Sequence, residues 1–165
     1  MRILGLDPGS RHTGYGLIRQ RGDRVELLAL GRLSPPQKLD PLARLGWLGL
    51  SLAESLAHWQ PEVAVLETPY LGLNPRSLVV LAQARGALLG ALAGADIAVS
   101  EYSPAEIKSA VTGSGRADKQ QVARMVALQL VGVPADAPAD ATDALAVALC
   151  FAHRSRLDRL TAGSR

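Results

Sequence analysis

The stretch ILGLDPGSRHTGYGLI, residues 3–18, decides the fold. An apolar run that alternates like a β-strand stops at Asp7, Pro8 and Gly9 provide a turn signal, and a second strand-like run follows a few residues later. Asp7 is therefore either the opening residue of an Asp-Pro-Gly turn or a catalytic carboxylate held at a strand end. Local sequence leaves both interpretations open.

Two hydrophobic periodicities predict the other strands and helices. Strands are predicted over 2–7, 13–20, 25–33, 62–67 and 96–102. Helices are predicted over 41–59, from about 75 to 93, on both sides of the loop 112–119, and from about Asp140 onward. The first three strands can form an antiparallel meander, and the last two, each reached through a helix, run parallel to the first. This order predicts an α/β fold, a five-stranded mixed sheet flanked by helices in the ribonuclease H-like arrangement.

Length and composition are typical of one globular domain. We expect a single ribonuclease H-like domain over 1–158 and a flexible tail over 159–165, because 165 residues with 48% hydrophobic content can bury a full core. The single cysteine, Cys150, excludes an internal disulfide and a cysteine-based zinc cluster. Uncharged runs such as 86–95 and 144–152 are too short to span a bilayer, and no leader precedes the first strand. A cytoplasmic protein without a membrane partner is expected.

The charge balance is a weak indication of a polyanionic partner. Lysine and arginine total 18 against 15 acidic residues, for a net charge of +3. Only Lys38, Lys108 and Lys119 are lysines, so arginine dominates the basic set. Arginine suits bidentate phosphate contacts, although base composition or thermophily also enriches it.

Four carboxylates are predicted to meet at one edge of the sheet. The first strand ends at Asp7 and the fourth at Glu67, and parallel neighbours present their carboxyl ends at the same edge. Asp140 and Asp143 are three residues apart at the start of the last helix, which places them on one helical face. Hard divalent cations take such oxygen ligands, and two ions can activate water and stabilise the leaving oxygen of a phosphodiester.

Simpler interpretations exist for each acid. The segment DATD, residues 140–143, has the form of a capping box, with Asp140 as N-cap and Asp143 reaching back to a free N–H. Glu67 could be a solvated acid at a strand end. Capping and metal binding are compatible, so the predicted convergence of all four acids favours the metal site.

Five segments, in order, resemble the RuvC family of Holliday-junction resolvases over nearly the whole chain. They are LGLDPGSRHTGYGLI, VLETPYLGLNPRS, AQARGALLGAL, EYSPAEIKSAVTGSGRADKQQV and ADATDALAVAL. The resemblance implies that Asp7, Glu67, Asp140 and Asp143 hold two Mg²⁺ ions, with Mn²⁺ able to substitute. It also implies a homodimer that resolves four-way DNA junctions by symmetric paired nicks in recombination and repair, with RuvA and RuvB as partners.

The same resemblance assigns residues to DNA. Lys108 and Lys119 flank the loop VTGSGRAD and match basic residues that approach the DNA, with Lys108 the nearer to the chemistry. Arg116 in this loop and Arg76 after Glu67 are expected backbone or base contacts. Tyr70 occupies a position where the family usually has phenylalanine, which stacks on unpaired bases, and tyrosine keeps the stacking face.

Two further expectations concern the helix over 75–93 and the histidines. This helix is expected to help form the dimer, although Ala82 stands where family members often have glycine. The three histidines show no metal-ligand spacing. His58 and His153 are expected on helix surfaces, and His12 near the mouth of the site.

Three other functions stay open on the residues alone. Actin-like or sugar-kinase ATPases also begin with a strand, an aspartate and a Gly/Ser/Thr-rich hairpin, but they normally need two such domains and no DATD pair. A nuclease of this fold could act on another nucleic acid. A junction-binding scaffold without activity is disfavoured, since uncompensated carboxylates repel DNA.

Overall fold

The structure, a computed structural model, describes residues 1–69 and 74–162. The strands are β1 (Arg2–Asp7), β2 (Thr13–Arg21), β3 (Arg24–Leu33), β4 (Val63–Glu67) and β5 (Ala98–Tyr102). The helices are α1 (Pro41–Trp59), α2 (Pro75–Gly94), α3 (Pro104–Thr112), α4 (Lys119–Gln129) and α5 (Ala139–Ala162). The predicted order of strands and helices is confirmed. Because α5 continues to Ala162, the division into a domain over 1–158 and a tail stays a prediction.

The strands form one mixed sheet in the order β3-β2-β1-β4-β5. β1 pairs antiparallel with β2, and β2 antiparallel with β3, through a hairpin in which Gly22 has a φ of 59°. β1 pairs parallel with β4, and β4 parallel with β5. This is the predicted ribonuclease H-like sheet, and it brings the carboxyl ends of β1 and β4 to one edge.

Each face of the sheet carries its own hydrophobic core. Alternate residues of a strand point to opposite faces, so Ile3 belongs to one core and Leu4 to the other. The core around Ile3 includes buried residues of α3, α4 and α5. The core around Leu4 includes buried residues of α1 and α2. The chain is therefore a three-layer α/β/α domain.

α5 lies unusually close to β1 and β2 because glycines face it. A Cβ at Gly5 would overlap the carbonyl oxygen of Ala144, and one at Gly14 would overlap the carbonyl oxygen of Asp140. Gly16 has the same role beside the side chain of Leu145, whose Cδ2 would be 2.6 Å from an added Cβ. Such contacts are open only to glycine, so these glycines fix the height of α5 above the sheet.

The capping interpretation of DATD is wrong. α5 begins at Ala139, before Asp140, and the carbonyl oxygen of Pro138 accepts hydrogen bonds at 3.0 Å from the backbone N–H groups of Ala141 and Thr142. Asp140 therefore lies inside the first turn rather than at the N-cap. Its carboxylate remains near the positive end of the helix dipole.

Within the described ranges, α2 is the one helix long and apolar enough to cross a membrane by length and composition. The sequence predicts the helix itself, but the uncharged run 86–95 covers only its second half, so its full apolar length is seen only in the structure. α2 carries the buried Arg85 near its centre, where an arginine would be costly in lipid. Part of the apolar character of α2 is explained by Ala84, Leu88 and Leu92, which belong to the core around Leu4.

Candidate active site

A cleft of about 360 Å³ opens at the carboxyl edge of the sheet. Three predicted acids line it, namely Asp7, Glu67 and Asp143. Two predicted cations, Lys108 and Lys119, line it as well. One cleft thus holds both the acidic and the basic groups expected of a site that binds phosphate and cations.

Strand register places the first two acids side by side. Leu6 of β1 is aligned with Leu66 of β4, and each is followed by the acid that ends its strand. On its other side, Asp7 pairs with Gly14 of β2. Because the pairing is parallel, Asp7 and Glu67 both leave the sheet where the cleft begins.

The two acids of α5 have different neighbours. The Oδ2 atom of Asp143 accepts a hydrogen bond from Nζ of Lys119 at 3.1 Å. Oδ2 of Asp140 lies 3.7 Å from Nη1 of Arg32 on β3, and both of those side chains are partly exposed. Asp140 is not among the residues that line the cleft. Its carboxylate lies beside the cleft, on the side of the β2–β3 hairpin strands.

Burial and neighbouring carboxylates raise the pKa of Asp7 to about 7. Burial is the largest cause, followed by the negative charges of Asp143, Asp140 and Glu67, while Lys119 opposes the rise. All three of the other predicted acids are therefore close enough to act on Asp7 electrostatically. A bound cation would reverse this repulsion.

The raised pKa predicts a pH-dependent stability in metal-free solution. Between pH 3.8 and about 7, native Asp7 keeps a proton that the unfolded chain has lost, so the free energy of unfolding falls as pH rises through this window. We expect the melting temperature of the wild type in EDTA to fall relative to that of Asp7→Asn between pH 5 and pH 8. A difference between the two proteins that does not change with pH would contradict this origin of the shift.

Burial also raises the pKa of Glu67, and the charge of Asp143 adds to this effect. The positive charges of Lys119 and Lys108 act in the opposite direction. The pKa of Lys119 is itself raised, chiefly by its hydrogen bond to Asp143 and by the charge of that carboxylate. Lys119 thus partly neutralises Asp143, Asp7 and Glu67.

The donor chemistry fits a hard divalent cation, since all four predicted ligands are carboxylates. Among residues 1–69 and 74–162, no three His, Cys, Asp or Glu side chains have an arrangement that could already hold a metal ion. Lys119 is hydrogen-bonded to Asp143, so a cation bound at that carboxylate would compete with its ammonium group. The mutual repulsion at Asp7 indicates where added positive charge would be most favourable.

The remaining predicted DNA contacts have different positions. Arg116 lies exposed in the loop between α3 and α4, and Arg76 lies exposed in the first turn of α2. Tyr70 falls outside the described residues. His12 lies in the loop after β1, and its Nδ1 is 3.0 Å from Oγ of Ser34. The roles of Arg116, Arg76 and Tyr70 in DNA binding stay predictions, and so does the place of His12 near the mouth of the site.

Sequence reasoning missed two arginines beside the site. Arg32 contacts Asp140. Nothing in the sequence distinguishes Arg32 from the other arginines on strands, so its place beside the site could not be predicted. Arg85 lines the cleft from α2 although its side chain is only 9% exposed. Its signal was available in the sequence, since a charged residue occupies a position of α2 that shares a face with apolar Leu88 and Leu92.

Comparison with known proteins gives consistent relatives. A family model described as Crossover junction endodeoxyribonuclease RuvC matches residues 3–151. A protein of that description from Herminiimonas arsenicoxydans is 44% identical over 155 residues, covering 93% of this chain and 84% of the relative. One from Geobacter sp. (strain M21) is 41% identical over 165 residues and covers all of both chains.

Solved structures of Holliday junction resolvases are similar to this chain. The structure of T. thermophilus RuvC in complex with a Holliday junction substrate is similar with a TM-score of 0.89, 30% sequence identity and 96% coverage of both chains. The yeast mitochondrial Holliday junction resolvase Ydc2 shares the fold, with a TM-score of 0.72 at 16% identity over 96% of this chain and 80% of that one. The family model matches most of the chain, and the relatives are more than 40% identical to it, so its family is established. The chain belongs to the RuvC family of crossover junction endodeoxyribonucleases.

Proposed function

We propose that this chain resolves four-way DNA junctions in recombination and repair by hydrolysing phosphodiesters at the carboxylate cleft. One observation supports this function above the others. Asp7, Glu67 and Asp143 share a cleft with Lys108 and Lys119, so groups for a cation and for a phosphate face the same space. The relatives with this fold and at least 40% identity carry the name of the same activity.

In this proposal the four acids, Asp7, Glu67, Asp140 and Asp143, hold divalent cations, two Mg²⁺ ions with Mn²⁺ able to substitute. When bound, the ions would supply water activation and stabilisation of the leaving 3′ oxygen, so that a 5′ phosphate results. Lys108 and Lys119 bind the phosphate and offset its charge as it develops. The buried environment of Asp7 strengthens the attraction between its carboxylate and a bound cation.

A synthetic four-way junction and a duplex of the same sequence test the function. In Mg²⁺ we expect paired nicks at symmetric positions in the junction and no cutting of the duplex. Equal cutting of both substrates would favour a nuclease of this fold that acts on another nucleic acid. Saturable ATP binding without junction cleavage would favour the actin-like alternative.

Lys119→Ala is expected to weaken junction binding and to make its salt dependence shallower. The Lys119 side chain is 84% exposed at the cleft, and its ammonium group is free to exchange Asp143 for a phosphate. Removing one phosphate contact lowers the slope of log K against log salt by about 1. The measurement is junction affinity between low and moderate salt in Ca²⁺ or EDTA.

Arg24→Ala is the matched control for Lys119→Ala. Arg24 lies exposed at the β2–β3 turn, where it pairs with Arg21 at the sheet edge opposite the cleft. We expect its salt slope to equal that of the wild type. Equal slopes for Lys119→Ala and Arg24→Ala would remove Lys119 from the DNA surface.

The family resemblance further implies a homodimer, and α2 offers a face for it. Val79 and Val80 are 56% and 44% exposed on this apolar helix. An apolar groove of about 540 Å³ runs between α1 and α2. Large exposed apolar surfaces favour protein contacts, so a second copy packed on α2 would explain why the helix is apolar on its outer side.

Val80→Glu is expected to convert the dimer to a monomer and to eliminate paired nicks, because it places a charge in the apolar interface. Sedimentation equilibrium measures the mass. Leu128→Glu on α4 is the control, since Leu128 is 77% exposed on another helix. If both variants sediment as the wild type does, α2 is not the dimer helix.

Two wider assignments accompany this function as proposals. RuvA and RuvB are the expected partners that bind the junction and move its branch point. A cytoplasmic location without membrane attachment fits a chromosomal DNA substrate. Co-purification with a preassembled junction complex would test the first assignment directly.

A further inference from the structure

Arg85 is a buried arginine in a position that packing alone does not explain. It lies on the face of α2 that also carries Ala84, Leu88 and Leu92, all of them buried. Long apolar side chains would fill such a position without the cost of desolvating a guanidinium. Buried polar groups in folded proteins are hydrogen-bonded, so the partners of the guanidinium show what Arg85 holds in place.

The contacts of Arg85 join three parts of the fold. Its Nη1 donates to the backbone carbonyl oxygen of Glu67 at 2.8 Å. Its Nη2 donates to the carboxylate of Glu101 on β5, with which it forms an ion pair. One planar guanidinium thereby links α2 to the last residue of β4 and to the neighbouring strand, a geometry that lysine cannot reproduce.

These bonds act on the backbone that carries Glu67. Strand β4 ends at Glu67, and the next residue, Thr68, donates from its N–H to the carbonyl oxygen of Tyr102 at 2.8 Å. The carbonyl of Glu67 accepts from Arg85. The peptide after Glu67 is therefore held from both sides, which restrains the backbone from which the Glu67 side chain projects.

We propose that Arg85 is a positioning residue for cleavage, which fixes Glu67 in the cleft by bonding its backbone carbonyl while Glu101 holds the guanidinium in place. This role rests on the proposed function of the cleft. Arg85 acts through Glu67, whereas Lys108 and Lys119 contact the phosphate. A displacement of about 1 Å in a catalytic group can cost on the order of a hundredfold in rate.

Three variants test the proposal, namely Arg85→Met, Arg85→Lys and Glu101→Gln. The readouts are the single-turnover rate of junction cleavage at saturating enzyme, the junction affinity in Ca²⁺, and Mn²⁺ binding without DNA, measured by electron paramagnetic resonance. Thermal melting identifies any variant that does not fold. Arg85→Lys keeps the charge and Glu101→Gln keeps the shape, so the test does not depend on Arg85→Met folding.

For positioning we expect Arg85→Met to slow cleavage by about tenfold or more and to weaken Mn²⁺ binding severalfold, with junction affinity within about twofold. Arg85→Lys should recover only part of the rate, because a single ammonium cannot bridge both acceptors. Glu101→Gln should slow cleavage less but in the same direction.

If Arg85 instead acts directly on the phosphate through its charge, the rates and affinities of the variants should differ from these expectations. Full recovery by Arg85→Lys, or faster cleavage and tighter junction binding in Glu101→Gln, would overturn the proposal. A slower rate with unchanged Mn²⁺ binding would also overturn it. If the wild type cleaves no junction, the proposed function fails, and the Mn²⁺ comparison still tests whether Arg85 positions Glu67.

Discussion

Asp7→Asn is expected to abolish junction cleavage, with a loss on the order of a thousandfold or more, while junction binding is kept or becomes tighter. Asparagine has nearly the shape of aspartate, so β1 and its pairing with β2 should be retained. The change removes the carboxylate on which the other three acids act most strongly. It also removes a negative charge that repels DNA.

The measurement is paired nicking of a four-way junction in Mg²⁺, together with junction affinity in Ca²⁺. Asp23→Asn is the matched control, since Asp23 is exposed at the β2–β3 turn and bonded to Arg156 at 2.8 Å. We expect that control to cleave as the wild type does. Normal nicking by Asp7→Asn would exclude Asp7 from the chemistry.

Gly14→Ala is expected to cause a large loss of stability for the addition of one methyl group. That methyl would overlap the backbone carbonyl of Asp140, and backbone cannot move aside as a flexible side chain can. Overpacking of this kind costs about 3 kcal/mol, or roughly 10 °C in melting temperature for a domain of this size. Because α5 must rise off the sheet, cleavage should fall as well, even where the variant remains folded.

Gly94→Ala is the control for this prediction. An added Cβ at Gly94 meets nothing within 4 Å, and the residue ends helix α2. Alanine there should be neutral or slightly stabilising. Differential scanning calorimetry of both variants gives the comparison. If Gly14→Ala melts with the wild type, α5 does not lie as close to β2 as the structure has it.

The strands and helices could be predicted because their signals are local. The alternating residues of β1, the Asp-Pro-Gly turn after it, and the Asp40-Pro41 start of α1 each act within a few residues. Handedness and the order of elements then leave few sheet topologies. The proximity of Asp7 and Glu67 could be predicted in the same way, because parallel neighbouring strands present their carboxyl ends at the same edge of the sheet.

What could not be predicted depends on contacts between distant segments. The sequence pattern places Gly5 and Gly14 in strands and gives them no further role, whereas the close approach of α5 requires glycine at both positions. The start of α5 at Ala139 depends on the carbonyl of Pro138, which a capping pattern around Asp140 does not reveal. The bond from Lys119 to Asp143 joins two helices whose packing no local pattern specifies.

The close packing of α5 against Gly5 and Gly14 has a consequence for the chain during its synthesis. During synthesis, β1 with Asp7 emerges from the ribosome first, whereas Asp140 and Asp143 emerge later, with α5. Until that helix emerges, Gly5 and Gly14 have no helix packed against them, and the cleft lacks Asp143. Under the proposed function, a chain that lacks α5 would lack the carboxylates of Asp140 and Asp143, so we expect it not to cut DNA.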